Sequence, residues 1–206
     1  MSKRYNKDYF LKIREESAKY YESMASLNWG EMIDGNYTIN DRYHFDWKIE
    51  KITDSKRSLK PLIKDKFEYI DEFLEENKNK KITIYIGTDS QNYMASTRFV
   101  SAIVMHVERN GAHVLVSRFD LPKIYDYRYR LLKEVDITGE VARNMKDYLR
   151  KKGLSYELHS DLNGSSNHKS NGIVEEAKNY IKHLGYELKI KPEAFAATYA
   201  ADHFCK

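Results

Sequence analysis

The chain has 206 residues, 41% of them hydrophobic and 32% charged, with a formal net charge of +4. That length suffices for one α/β domain with a full core plus an accessory segment, and the mild basic excess permits a polyanion partner without demanding one. A single cysteine, Cys205, excludes an internal disulfide and a cysteine zinc cluster; no apolar run reaches a membrane span and MSKRYNKDYF lacks a signal-peptide core, so a cytoplasmic protein with no membrane partner is expected.

Residues 7–24 read as a helix, with Phe10, Ile13, Tyr21 and Met24 toward one side. Residues 28–55 are irregular and carry Gly30, Gly35, Trp29 and Trp47, with short strands expected at 37–39 and 47–52. Residues 1–55 are therefore taken as an N-terminal helical and irregular extension whose contacts the sequence does not identify, and 56–206 as the main domain. Leu59, Leu62, Ile63, Phe67, Ile70, Phe73 and Leu74 then repeat at helical spacing, predicting a helix over 59–75 with Pro61 in its first turn.

The alternation of Ile82, Ile84 and Ile86 in ITIYIGTDS predicts a strand, followed by strands at 98–107 and 112–119. Asn110-Gly111 joins the last two as a hairpin. Leu131, Val135, Thr138, Ala142, Met145 and Leu149 mark a long helix ending near Gly153. A short strand at 156–159, a helix at 172–184 closed by Gly185, a strand at 186–190 and a last helix at 193–204 complete the chain. The order βββ-α-β-α-β-α implies an α/β fold with a mixed sheet, a three-strand meander extended by two parallel strands.

Two acids stand out on that scheme. Asp89 follows the first strand of the meander and Asp161 the fourth strand. If these strands are parallel neighbours, their C-terminal ends lie about 5 Å apart and both carboxylates project from one edge, where open α/β sheets place ligands. Two such carboxylates repel, which favours a hard divalent cation such as Mg²⁺ or Mn²⁺. A further carboxylate from a nearby helix would complete a two-ion site for phosphodiester cleavage. Asp is also common where strands turn, so each residue alone can be no more than a turn former.

The succession IGTDSQ, an Asn-Gly hairpin, RLLKEV, HSDLN and AADHFCK resembles the ribonuclease H superfamily, and within it the bacterial YkuK-like ribonuclease H-related family. The resemblance covers about residues 56–206. It implies a ribonuclease H-like fold with a five-stranded sheet in the order 3-2-1-4-5 and helices on both faces. It also implies a metal-dependent nuclease acting on RNA, an RNA–DNA hybrid or branched DNA, with Asp89, Glu134, Asp161 and Asp202 as catalytic metal ligands for two Mg²⁺ or Mn²⁺ ions. Glu140 competes with Glu134 for the helical position. A nucleic-acid-binding or scaffold protein on the same fold, with little or no catalysis, is the alternative. IGTDS also resembles the phosphate loop of the actin and sugar-kinase superfamily, but that architecture needs two such halves and this chain has room for one.

The substrate-binding candidates are neighbours of these acids. His159 precedes Asp161 by two residues and shares its face of the strand. His203 and Lys206 flank Asp202, and Ser90 and Gln91 follow Asp89. The polar loop 163–171, with Asn163, His168 and Lys169, leads into a helix N-terminus suited to an anion. The plainer readings are a satisfied structural histidine, chain-end surface and a solvated loop.

Overall fold

The structure, a computed structural model, describes residues 43, 45–53, 56–62, 64–165, 167–194 and 196–205. The helix expected over 7–24 and the strand expected over 37–39 lie outside the described residues, as does Lys206. The elements are β1 (Trp47–Thr53), β2 (Lys56–Pro61), α1 (Lys66–Glu76), β3 (Ile82–Asn92), β4 (Ser96–Val107), β5 (Gly111–Pro122), α2 (Tyr127–Lys152), β6 (Ser155–Asn163), α3 (Val174–His183), β7 (Leu188–Lys191), a π-helical segment Ala196–Ala201, and α4 (Asp202–Cys205).

Among the described residues one sheet carries seven strands in the order β2-β1-β5-β4-β3-β6-β7. Its last five reproduce the expected 3-2-1-4-5 order. β3, β4 and β5 form the antiparallel meander, and β6 and β7 add in parallel. Arg109 and Gly111 take positive φ where the β4–β5 hairpin turns. The sheet is two strands wider than the expected five, because β1 pairs with β5 and β2 pairs with β1. The chain divides into two compact units, Met1–His44 and Phe45–Lys206, and both strands of that hairpin belong to the second.

The helix expected over 59–75 is shorter. Lys56–Pro61 is a strand, and α1 starts at Lys66 behind Asp65, whose side chain accepts from the Phe67 amide. Among the described residues β2 stands at the end of the strand order, a position that tolerates proline better than the middle of a sheet. α2 ends as expected, with Gly153 at φ 64 in the left-handed cap.

Alternation along the strands sends side chains to two cores. Ile84, Ile86, Ile103, Met105, Leu115, Leu158 and Leu162 pack with Leu131, Val135, Met145 and Leu149 of α2. Ile70 and Phe73 of α1 and Ala177 and Ile181 of α3 join the same cluster. On the opposite face Val100, Ala102, Val104, Val114 and Val116 meet Ala200, Ala201, Phe204 and Cys205. The C-terminal helix expected over 193–204 is irregular: a π-helical stretch gives way to a single α turn beginning at Asp202. Its end is tied down, since Tyr93 Oη donates to the Cys205 carbonyl. The Arg98 guanidinium lies 4.6 Å from the Tyr93 ring centroid and pairs with Asp120 at 3.0 Å.

Candidate functional site

β3 and β6 are adjacent and parallel, and their ladder closes with Gly87 opposite His159. Asp89 and Asp161 each come two residues later, so period-2 alternation puts them at one level on one face, where the paired backbone ends. Both acids sit within strands rather than just after them. β3 continues to Asn92 because β4 pairs with it as far as Asn92↔Thr97. β6 continues to Asn163, with an irregular register against β7 between His159 and Asn163.

Ser90 points to the other face of β3, toward α2. Its hydroxyl donates to Glu134 Oε1 at 2.5 Å. Arg130, one turn before Glu134, donates to the Ser90 carbonyl at 2.7 Å, to Ser90 Oγ at 2.6 Å and to Glu134 Oε1 at 3.3 Å. Glu134 is 1% exposed, and its Oε2 is buried without a hydrogen-bond partner among the described residues. Burial, and then the charge of Asp89, push the Glu134 carboxyl well above the ordinary range, against the pull of the Ser90 hydroxyl and Arg130. Glu140 also lies on the buried side of α2, but it pairs with Arg143 and acts electrostatically on Tyr186, away from Asp89.

Asp89 is raised to about 6, chiefly by burial and further by the charges of Asp161 and Asp202. The Ser90 amide, which donates to Asp89 Oδ1 at 2.8 Å, works the other way. Asp161 pairs with Lys191 at 2.7 Å. The buried Cys205 thiol is raised by burial and by Asp89, Glu134 and Asp202, so the last helical turn lies against the same acids. The four carboxylates thus occupy one electrostatic neighbourhood. As the side chains lie, no group of three or more His, Cys, Asp or Glu among the described residues stands close enough to hold a metal ion. The chemistry of the donor set nonetheless fits a hard cation. It is all oxygen, two of its carboxyls are raised by burial and mutual charge, and one buried oxygen lacks a donor.

The other expected residues divide. Ser90 is 5% exposed and engaged with Glu134 and Arg130, so it organises the site from beneath. His159 is fully buried, 4.9 Å from the Tyr85 ring and 3.2 Å from Glu157. Burial lowers its pKa, with Glu157 opposing. Gln91 and His203 are exposed, and His203 packs edge-on against Phe204. Asn163 closes its own loop, bonding Ser170 through its backbone and the Ser165 amide through its side chain, while His168 and Lys169 stand exposed beyond it. Two cations at the site escape a reading of the sequence by motif. Arg130 was detectable as a basic residue four before Glu134 on one helix. Lys191 belongs to the end of β7 and gives no local signal.

The description Ribonuclease H-like matches residues 65–206. Among curated proteins, the "Uncharacterized protein YkuK" of Bacillus subtilis (strain 168) is 26% identical over 156 residues, covering 69% of this chain and 90% of that protein. No solved structure matches significantly. On the match through residues 65–206, which spans β3 to α4 and every acid of the site, the chain belongs to the ribonuclease H-like family.

Proposed function

We propose that this protein is a metal-dependent nuclease, hydrolysing phosphodiester bonds in nucleic acid, with Asp89, Glu134, Asp161 and Asp202 holding one or two Mg²⁺ or Mn²⁺ ions. The observation that carries the reading is the placement of Asp89 and Asp161 on parallel neighbours β3 and β6, both of whose charges act on buried Glu134. Such ions, when bound, activate a water and stabilise the leaving oxygen in phosphodiester cleavage.

The chain's own residues have distinct tasks in this reading. Arg130 lowers the cost of ionising Glu134 and holds Ser90, which fixes the β3 backbone beside Asp89. Lys191 neutralises Asp161 in the free protein, and its ammonium can turn to a substrate phosphate once Asp161 takes another partner. His168 and Lys169 offer exposed contacts to a phosphate backbone, which would position the strand without reading its sequence.

A second reading is a nucleic-acid-binding or scaffold protein without catalysis. The observation in its favour is that Arg130 and Lys191 already accompany the carboxylates, and that no three ligating side chains among the described residues are gathered. A panel of end-labelled RNA, single- and double-stranded DNA and RNA–DNA hybrid, incubated with Mn²⁺, separates the two. The nuclease reading expects cleavage of at least one substrate, abolished by chelator and by Asp89→Asn. Binding with no cleavage at any Mn²⁺ concentration supports the second reading instead.

A further inference from the structure

The linker from β5 to α2 leaves two tyrosines in solvent at the start of the helix that carries Glu134. Tyr125 is 59% exposed and Tyr127 is 44% exposed. Neither hangs on a loose loop. Between β5 and Tyr125, Ile124 is buried, its amide donating to Thr97 Oγ1 at 2.8 Å and its carbonyl accepting from Asn92 Nδ2 at 3.0 Å. Between the tyrosines, Asp126 caps α2 by accepting from the Tyr129 amide at 2.6 Å. The backbone on both sides of each ring is therefore anchored to the strand that carries Asp89 or to the helix that carries Glu134.

Each ring is also paired with a cation. Lys123 Nζ lies 5.3 Å from the Tyr125 centroid, and the Arg130 guanidinium lies 5.6 Å from that of Tyr127. Arg130 is the residue that reaches Ser90 and Glu134, so one guanidinium bridges the aromatic surface and the acid site. Over residues 123–130, KIYDYRYR sets three cations against one carboxylate, though Arg128 is tied to Glu176. Aromatic rings interleaved with cations on a rigid support are what unpaired bases and their phosphates require. A duplex keeps its base faces inside the stack and offers nothing to such rings.

We propose that Tyr125 and Tyr127 form a stacking platform for unpaired bases, so that the nucleic acid is single-stranded where it passes the acid site. The platform deepens the nuclease reading, on which the identity of the neighbouring phosphate rests. Tyrosine suits the task because its ring is large and has few rotamers to lose on binding.

The test is fluorescence anisotropy with labelled oligo-uridine, oligo-thymidine and a duplex of equal length, in chelator so that nothing is cleaved. The platform predicts tighter binding of a single strand than of the duplex. Tyr125→Ala/Tyr127→Ala should weaken single-strand binding about tenfold or more and alter duplex binding less than about twofold. Tyr125→Phe/Tyr127→Phe keeps the rings and should stay within about twofold of wild type. The proposal is overturned by an alanine variant that binds a single strand like wild type, by equal losses on both forms, or by a wild type that prefers duplex or binds neither. Should the double alanine variant fail to fold, the two single substitutions give the same ratio. Cleavage in Mn²⁺, measured alongside, keeps the two readings apart. Asp89-dependent cleavage with an indifferent platform sinks the stacking proposal alone, while ring-dependent binding without cleavage sinks the nuclease reading alone.

Discussion

Replacing Asp89 by asparagine should stabilise the metal-free protein at neutral pH. In the fold the Asp89 carboxyl is raised from an ordinary 3.8 to about 6, mainly by burial. Between those two values the native state holds a proton that the unfolded chain has released, so stability falls as pH rises through that window. The loss is absent below about pH 4 and complete above about pH 7. A gap of about two units, at roughly 1.4 kcal/mol per unit, amounts to about 3 kcal/mol at full ionisation. Asparagine cannot ionise, and its Oδ1 can still accept the Ser90 amide that Asp89 accepts at 2.8 Å. Allowing for imperfect mimicry, Asp89→Asn should gain about 2 kcal/mol at pH 7.5 in chelator, roughly 4–8 °C in Tm for a chain of this size. At pH 4.5 the two melts should nearly coincide. Circular dichroism melts at the two pH values read this directly. A variant less stable than wild type at pH 7.5, or a difference that ignores pH, would refute the reasoning.

Two further substitutions probe the cations. Arg130→Met leaves the buried Glu134 without its cation and should cost about 2–4 kcal/mol at pH 8, read as a lower urea midpoint. Because burial raises Glu134 in the fold, that cost should be smaller at low pH than at high pH, and a deficit that does not change with pH would count against the charge argument. Lys191→Met removes the ammonium bound to Asp161, so the Mn²⁺ concentration needed for half-maximal thermal stabilisation should fall several-fold; an unchanged or higher midpoint would mean that Lys191 does not compete with the cation.

The strands that carry the acids were legible because their signals are local. Ile82, Ile84 and Ile86 alternate, Asn110-Gly111 turns the hairpin, and the helical period from Leu131 to Leu149 forces a crossover that makes β6 parallel to β3. The β1–β2 hairpin was not legible. Leu59 and Leu62 stand three apart and Pro61 suits a helix start, so the pattern merged with that of α1 until the pairing with β5 decided otherwise. Asp65 followed three residues later by Glu68 is the local signal for the helix start that the structure shows. Asp, Ser and Asn favour turns, so the sequence places the strand ends before Asp89 and Asp161, whereas the ladder to β4 and the long run of β6 keep those residues extended. The π-helical stretch before Asp202 carries no signal that separates it from an ordinary helix in this alanine-rich sequence. Arg130 and Lys191 show that the acids could be found by position, whereas the groups neutralising them come from a helix turn and a strand end that meet them only in three dimensions.

Isothermal titration of Mn²⁺ into chelator-stripped protein, comparing wild type with Asp161→Asn at pH 7.5, bears most directly on whether these carboxylates hold a metal. Saturable binding of one or two ions to wild type, reduced at least about tenfold in the variant, is the predicted result. No binding to wild type, or equal binding to both, would contradict it.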